Sequence, residues 1–275
     1  MGLRAFSPVR TTILAIACAI VLASPAYAIV YPGNGNTGFG GPIGDSANGA
    51  SLTLTDNGSS LSFTVTRGPG AFNDYLVFYF DTQAGGATSL PTSGEIGSPF
   101  GGRRAIVNEF GSGISAFPAL FGSDFAFVLA PNPSLGGNAS NHLFTTPSGA
   151  DANALVFVNT HTVTGFGSTT SATYSWTIPF SELNITAGQT FNFVTTYLNP
   201  LSGGGSDASF RSNEMYGPEN PGANPGFANY SFTVPLPYTT TPIPETSTLV
   251  SALLAVAVVG WSQRRRLARM GFRAR

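Results

Sequence analysis

The sequence predicts an all-β protein whose main part is a single β-sandwich or jelly roll. Glycine and proline are frequent, with 34 and 20 copies in 275 residues, and they interrupt helical patterns in the middle of the chain. Between them lie short segments in which apolar and polar residues alternate, which is the period of a half-buried strand. About nine such segments, with no helical period between them, are typical of two packed sheets.

The strands can be placed approximately. A hairpin is predicted around the turn sequence Asp-Asn-Gly-Ser-Ser at 56–60, because apolar residues alternate with polar ones on both sides of it. Residues 75–80 are apolar on both faces and predict a central, covered strand. Trp176 alternates with Tyr174 and Ile178, which places it in the core. The remaining strands are predicted at 104–108, 123–130, 154–160, 169–178, 190–198 and 229–234.

The N-terminus has the features of a secretory signal peptide. Two arginines precede an apolar run at 13–23, and Ala26 and Ala28 frame a small-residue cleavage site. The one cysteine, Cys18, lies inside the apolar run. The mature protein is therefore expected to begin at or near Ile29 without cysteine, which excludes disulfides and thiolate metal sites.

The predicted chain has five parts: the signal peptide (1–28), an irregular N-terminal arm (29–46), the β-sandwich passenger domain (47–234), a stiff Pro- and Thr-rich linker (235–242) and a sorting signal (243–270). The mature part before the sorting signal carries twelve acidic residues against four arginines, a formal charge of −8, and the chain has no lysine. Nucleic acid and anionic membrane surfaces both need clustered positive charge, so neither is expected as a partner of this domain.

The sorting signal combines a short motif, an apolar helix and an arginine run. Residues 246–263 carry no charge, and at about 1.5 Å of rise each they would just cross a ~30 Å hydrocarbon core. Arginine at the end of a membrane helix prefers the cytoplasmic side, so the domain is expected outside. The motif and the run consist of Ile243, Pro244, Glu245, Thr246 and Ser247, and of Arg264, Arg265 and Arg266.

This composite resembles the PEP-CTERM sorting signal of exosortase substrates. The resemblance implies transient insertion into the inner membrane, recognition by an exosortase-type processing enzyme, and delivery to the cell surface or to an extracellular polysaccharide matrix such as a biofilm. The motif is also similar to the Leu-Pro-x-Thr-Gly signal of cell-wall sortases, with Ser247 in place of glycine. That is the second interpretation, and a permanent single-pass anchor is another.

The passenger domain resembles the β-sandwich of family-9-type carbohydrate-binding modules and DOMON-like domains. The resemblance covers Phe-Asp-Thr-x-x-Gly-Gly at 80–86, Ser-Asp-Phe at 123–125 and the segment 174–183. A carbohydrate-binding module is therefore an alternative function. A secreted hydrolase comes third, because His142 and His161 have no metal-site spacing, no Gly-x-Ser-x-Gly occurs, and no spacing selects a carboxylate pair.

A calcium site is the one metal site that the sequence suggests. Asp81, Asp124 and Asp207 lie at the ends of predicted strands or in glycine-rich loops, where carboxylates and carbonyl oxygens can surround Ca²⁺. The alternative is that each aspartate caps a turn. We expect no other cofactor and no enzymatic activity.

Overall fold

The computed structural model describes residues 28–90, 101–107, 114–146, 155–199, 211–226, 228–243 and 246–271. One compact unit extends from Tyr27 to Thr241, and the C-terminal helix belongs to a second unit. Strands are the main regular secondary structure of the described residues, which confirms the all-β prediction in its general form.

Within the described residues the strands, in chain order, are β1 (Ala28–Pro32), β2 (Ser51–Asp56), β3 (Ser60–Thr66), β4 (Tyr75–Asp81), β5 (Ile114–Ala116), β6 (Phe125–Ala130), β7 (Ser140–Thr145), β8 (Val156–Thr160), β9 (Thr173–Pro179), β10 (Thr190–Leu198), β11 (Tyr230–Ser231) and β12 (Leu236–Thr239). The helices are α1 (Gly101–Val107) and α2 (Thr246–Gly271). Single 3-10 turns lie at Ser46–Asn48, Pro133–Asn138 and Phe180–Glu182.

Two antiparallel sheets contain ten of these strands. The smaller has the order β1-β2-β3-β9, and the larger has the order β12-β10-β4-β6-β7-β8. The predicted hairpin is present as β2 and β3, with Leu54 opposite Phe63. Strands β5 and β11 form a separate parallel pair.

The main core lies where the two sheets share side chains. Phe63 of the smaller sheet stacks on Trp176 with 4.9 Å between ring centroids, and Trp176 also stacks on Phe127 of the larger sheet. Only 4% of Trp176 is exposed, which confirms its predicted place in the core. A second core covers the opposite face of β4, where Tyr75, Val77 and Tyr79 point. Strand β4 is thus buried on both faces, as its apolar sequence predicted.

Helix α1 stands where the sequence predicted a strand at 104–108. Its Ala105, Ile106 and Val107 are buried in the second core. Ala-Ile-Val suits a strand by local preference, but the prediction was wrong because tertiary packing overrides that preference.

The two ends of the domain also differ from prediction. The arm predicted as irregular over 29–46 begins with β1, which pairs with β2 along its whole length. The predicted linker at 235–242 is not a spacer, because β12 pairs with β10 and buries Leu236 and Tyr238. Proline is tolerated in β12 because an edge strand needs ladder partners on one side only.

Candidate functional site

The described chain leaves the domain a few residues before the predicted sorting motif, at a point held by Asp56. Asp56 ends β2, is buried, and accepts a hydrogen bond of 2.8 Å from the hydroxyl of Tyr238. Its two carboxylate oxygens also accept the Thr241 backbone N–H at 3.1 and 3.0 Å, and the Thr241 hydroxyl donates to one of them at 3.2 Å. We call Asp56, Tyr238 and Thr241 the C-terminal clasp.

Further hydrogen bonds hold β12 and the residue that follows it. The N–H of Thr240 donates to the carbonyl of Gln189, and its hydroxyl donates to the carbonyl of Thr186 at 2.8 Å. The hydroxyl of Tyr31, in β1, donates to the carbonyl of Pro237 at 2.5 Å. The last strand is therefore fixed to three separate parts of the domain.

Exposure changes abruptly after the clasp. Thr240 is 1% exposed, whereas Pro242 is exposed and Ile243 is 67% exposed. Pro244 and Glu245 of the predicted motif lie outside the described residues, and helix α2 then begins at Thr246. The predicted signal therefore starts directly after the folded domain.

Helix α2 contains the rest of the predicted signal. It includes Thr246 and Ser247 at its start and the arginine run Arg264, Arg265 and Arg266 near its end. Within the described part of the chain, no helix is long and apolar enough to cross a membrane.

The surface of α2 has exposed apolar side chains next to the arginine run. Leu254, Val258, Val259 and Trp261 are all more than half exposed. The guanidinium of Arg265 lies 3.8 Å from the ring centroid of Trp261, a cation–π contact one helical turn apart. The exposed apolar surface thus ends at an aromatic ring paired with the arginine run.

The predicted cleavage residues are described only in part. Ala26 lies outside the described residues, and Ala28 is the first residue of β1, opposite Thr55. Cleavage after Ala28 would remove one residue of the strand and leave the pairing of Ile29 to Pro32 with β2 intact.

Two of the three predicted calcium ligands lie close together. Asp81 ends β4, and Asp124 immediately precedes β6, the neighbouring strand. Burial and the nearby Asp124 carboxylate raise the pKa of Asp81 from 3.8 to about 6, while hydrogen bonds from Gly122 and Asn192 oppose the rise. Asp207 lies outside the described residues.

Asp124 has a defined structural role. One of its oxygens accepts the N–H groups of Thr82 and Gln83, both at 2.8 Å, so it caps the turn that follows β4. Asp124 thus stabilises a turn distant in sequence rather than its own, and calcium binding by these aspartates stays a prediction. Among the described residues, no group of three or more histidine, cysteine or acidic side chains is placed to hold a metal ion.

The close approach of two turns positions this pair of carboxyl groups. Ala87 and Ser123 exchange backbone hydrogen bonds of 2.8 Å in both directions. A Cβ atom on Gly122 would lie 1.6 Å from the carbonyl oxygen of Gly85, so glycine at position 122 permits the contact.

A second carboxyl pair, Asp74 and Glu214, lies at the opposite end of β4, and no sequence motif predicts it. Burial, and then the nearby Glu214 carboxylate, raise the pKa of Asp74 from 3.8 to about 7. Glu214 is fully buried and accepts four backbone N–H groups of the N-terminal segment. The donors are Phe39 at 2.6 Å, Gly41 at 3.0 Å, Ile43 at 3.1 Å and Gly44 at 3.2 Å.

No sequence pattern could have identified Glu214. It is an isolated acidic residue in a loop, and its donors lie 170 to 175 residues earlier in the chain. Its four hydrogen bonds show that it anchors the N-terminal segment.

The two histidines make separate contacts, although β7 and β8 bring them near each other. The Nε2 atom of His161 lies 3.0 Å from a carboxylate oxygen of Glu182. His142 contacts the Ser140 hydroxyl at 3.1 Å through Nδ1, and burial lowers the pKa of His142.

An open pocket of about 530 Å³ lies beside the Asp81 end of β4. Its lining includes the exposed residues Thr88, Ser89 and Ser115, and the Ser115 hydroxyl donates to the carbonyl of Tyr230 at 3.0 Å. On the rim, Leu120 is fully exposed and has a left-handed backbone with φ of 67°, which is unusual for a leucine. The pocket therefore combines hydroxyl groups with one exposed apolar side chain.

No protein family model matches the chain, and neither a curated protein nor a solved structure shows significant similarity to it.

Proposed function

We propose that this chain is an exported, non-enzymatic protein of the cell surface or extracellular matrix, delivered by a C-terminal PEP-CTERM-like sorting signal. In this proposal the signal peptide directs export and α2 inserts transiently into the inner membrane with its arginine run on the cytoplasmic side. An exosortase-type enzyme then processes the chain near the motif at 243–247. The mature domain remains at the surface or joins an extracellular polysaccharide matrix.

The observation that carries the proposal is the surface of α2. Its exposed Leu254, Val258 and Val259 need an apolar environment, and the Trp261–Arg265 pair suits the boundary between hydrocarbon and headgroups. The sequence from 246 to 263 carries no charge, which suits insertion into hydrocarbon. A membrane supplies these environments together.

The extent of the domain also supports the proposal. The compact unit ends at Thr241, and β1 keeps its pairing from Ile29 onward. Removal of the predicted signal peptide and of everything after the motif would therefore leave almost all described contacts of the domain in place.

The direct test is the sequence of both mature termini, read by mass spectrometry from the native host. We expect an N-terminus at or near Ile29 and loss of the arginine run, Arg264 to Arg266. Replacement of the three arginines with glutamine should leave the N-terminal cleavage unchanged and reduce C-terminal processing. Extracellular protein that retains the arginine run would contradict the proposal.

Carbohydrate binding is the second candidate function, and the pocket beside β4 is the observation that favours it. Hydroxyl groups next to an apolar side chain can contact both the polar edges and the apolar faces of a sugar. The test is a pull-down of the full protein on insoluble polysaccharides. Replacement of Thr88 and Ser89 with alanine should abolish binding, whereas replacement of Ser62 and Thr177, an exposed hydroxyl pair on the smaller sheet, should not. If both double variants bind the polysaccharide equally well, this pocket is not the binding site.

A further inference from the structure

We propose that the C-terminal clasp controls access of a processing enzyme to the sorting motif. This inference rests on the proposed function, because it concerns regulation of the same processing site. The observation that carries it is that the chain is hydrogen-bonded up to Thr241 and buries Leu236, Tyr238 and Thr240, while the predicted motif begins at Ile243.

The linking segment limits what an enzyme can bind. Four residues, 242–245, join Thr241 to the start of α2. At about 3.3 to 3.6 Å per residue they reach about 13 to 14 Å at full extension. An enzyme that binds a peptide as an extended strand contacts several residues on each side of the bond it cuts. With the clasp closed, Pro242 alone separates the bonded Thr241 from the motif. An enzyme therefore finds too few unbonded residues on the domain side of the motif.

Opening of β12 supplies the missing length. Release of residues 236–241 adds six residues, or about 20 Å of extended chain. Strand β12 is suited to local opening because it is an edge strand, bonded along one side to β10. The buried carboxylate of Asp56 holds it closed through charge-assisted hydrogen bonds, which are stronger than neutral ones.

The clasp links processing to folding. Besides Asp56 of the β2–β3 hairpin, Tyr31 of β1 and Gln189 of the turn before β10 bond to this segment, so it docks fully only when these distant parts have assembled. In the folded domain, too few unbonded residues therefore precede the motif for an enzyme to bind. A domain that has not closed β12 presents the motif on a long flexible segment.

The experiment uses glutamyl endopeptidase as the probe, because Glu245 is the last glutamate of the chain. The full chain after signal-peptide removal is purified in detergent, and mass spectrometry follows cleavage after each glutamate. When opening is fast relative to cleavage, the rate reports the population of the open form. Asp56→Ala should raise the rate after Glu245 at least tenfold, and Tyr238→Phe, which removes one hydroxyl, should raise it less.

Two controls separate the clasp from general loosening. Asp45→Ala removes another buried aspartate, which caps the turn at Ser46–Asn48, and should leave the rate after Glu245 within twofold of the parent. Cleavage after the buried Glu214 and Glu219 reports unfolding of the domain itself and should remain much slower than cleavage after Glu245 in every variant.

A further variant tests the length argument without disturbing the clasp. Six glycine and serine residues inserted between Thr241 and Pro242 should raise cleavage after Glu245 as much as Asp56→Ala does, with an unchanged melting temperature. The proposal is overturned if the insertion has no effect, if Tyr238→Phe leaves the rate unchanged, or if Asp45→Ala accelerates cleavage as strongly as Asp56→Ala. The probe is independent of the host enzyme, so retention of the arginine tail in the host would contradict the proposed function without affecting this result.

Discussion

The two ends of β4 carry the same chemical arrangement with different structural consequences. At each end, one carboxylate accepts several backbone N–H groups, and a neighbouring aspartate has a raised pKa. Glu214 is fully buried and holds a segment some 170 residues away in the chain, whereas Asp124 is partly exposed and caps a turn about 40 residues earlier. The comparison indicates that burial and sequence separation decide whether such a carboxylate anchors tertiary structure or local structure.

The largest expected effect is at the Glu214 end. Glu214→Ala leaves four backbone N–H groups, three of them in buried bonds, without their acceptor and should lower the free energy of unfolding by about 3 to 5 kcal/mol. The measurement is urea or thermal unfolding of the protein. As a control, Glu182→Gln, a partly exposed glutamate, should cost under about 1 kcal/mol. A loss below about 1 kcal/mol in Glu214→Ala would mean that the N-terminal segment is held in another way.

The next effect concerns calcium at the Asp81 end, which remains a prediction. An ion that binds the folded state alone stabilises it by about 2.7 kcal/mol at a hundred times its Kd. For a domain of this size that is roughly 5 to 10 °C in melting temperature, read with millimolar Ca²⁺ and then with chelator. Asp81→Ala and Asp207→Ala should abolish the shift, and Asp74→Asn, at the opposite end of β4, should preserve it. A shift under about one degree in the parent would leave these aspartates as turn residues.

The free energy of unfolding is expected to change by about 2 kcal/mol with pH because of Asp74. Because the pKa of Asp74 is raised from 3.8 to about 7, the folded state binds more protons than the unfolded state between these values. The contribution of Asp74 to stability is therefore full below about pH 4 and is lost as the pH rises through 7. The full shift would correspond to about 4 kcal/mol, and we take roughly half because the side chain is partly exposed.

Asp74→Asn should remove this dependence. The variant should match the parent near pH 4 and exceed it at pH 8, as measured by unfolding across that range. Asp81→Asn is the matched comparison, because its window ends near pH 6. A parent whose stability rises between pH 5 and pH 8 in a manner abolished by Asp74→Asn would contradict the assigned direction.

The smallest effect is expected for Asp124. Asp124→Ala removes the cap on the turn after β4 and should cost about 1 kcal/mol. Hydrogen exchange should accelerate at the amides of Thr82 and Gln83, while the amides bonded to Glu214 keep their protection. Faster exchange at both ends of β4 would mean that the two carboxyl pairs are not independent.

The sequence predicted the parts of the fold that have strong local patterns. The β2–β3 hairpin follows from alternation around a turn sequence, β4 from a continuous apolar run, and β10 from a segment predicted at 190–198 and observed at Thr190–Leu198. Strand β12 could not be predicted, because prolines at 235 and 237 argue against a strand unless its edge position is known.

The site residues divide in the same way. The proximity of Asp81 and Asp124 could be predicted, because Asp81 ends one recognisable strand and Asp124 precedes another. The structure places the two carboxyl groups near each other. The sequence places Asp56 only in a predicted turn, because its partners Tyr238 and Thr241 lie more than 180 residues later. Single carboxylates with distant partners carry no periodic signal, so a structure is needed to find them.

The hydrogen bond between Tyr31 and Pro237 has a consequence for the order of assembly. It joins the first strand of the domain to the last, across 206 residues of sequence. A chain that emerges from the N-terminus cannot complete either this bond or the edge of the larger sheet until its final residues have appeared. Contacts of such long range also slow folding. The domain should therefore acquire its full resistance to proteases late, in one step that follows the arrival of its C-terminal end.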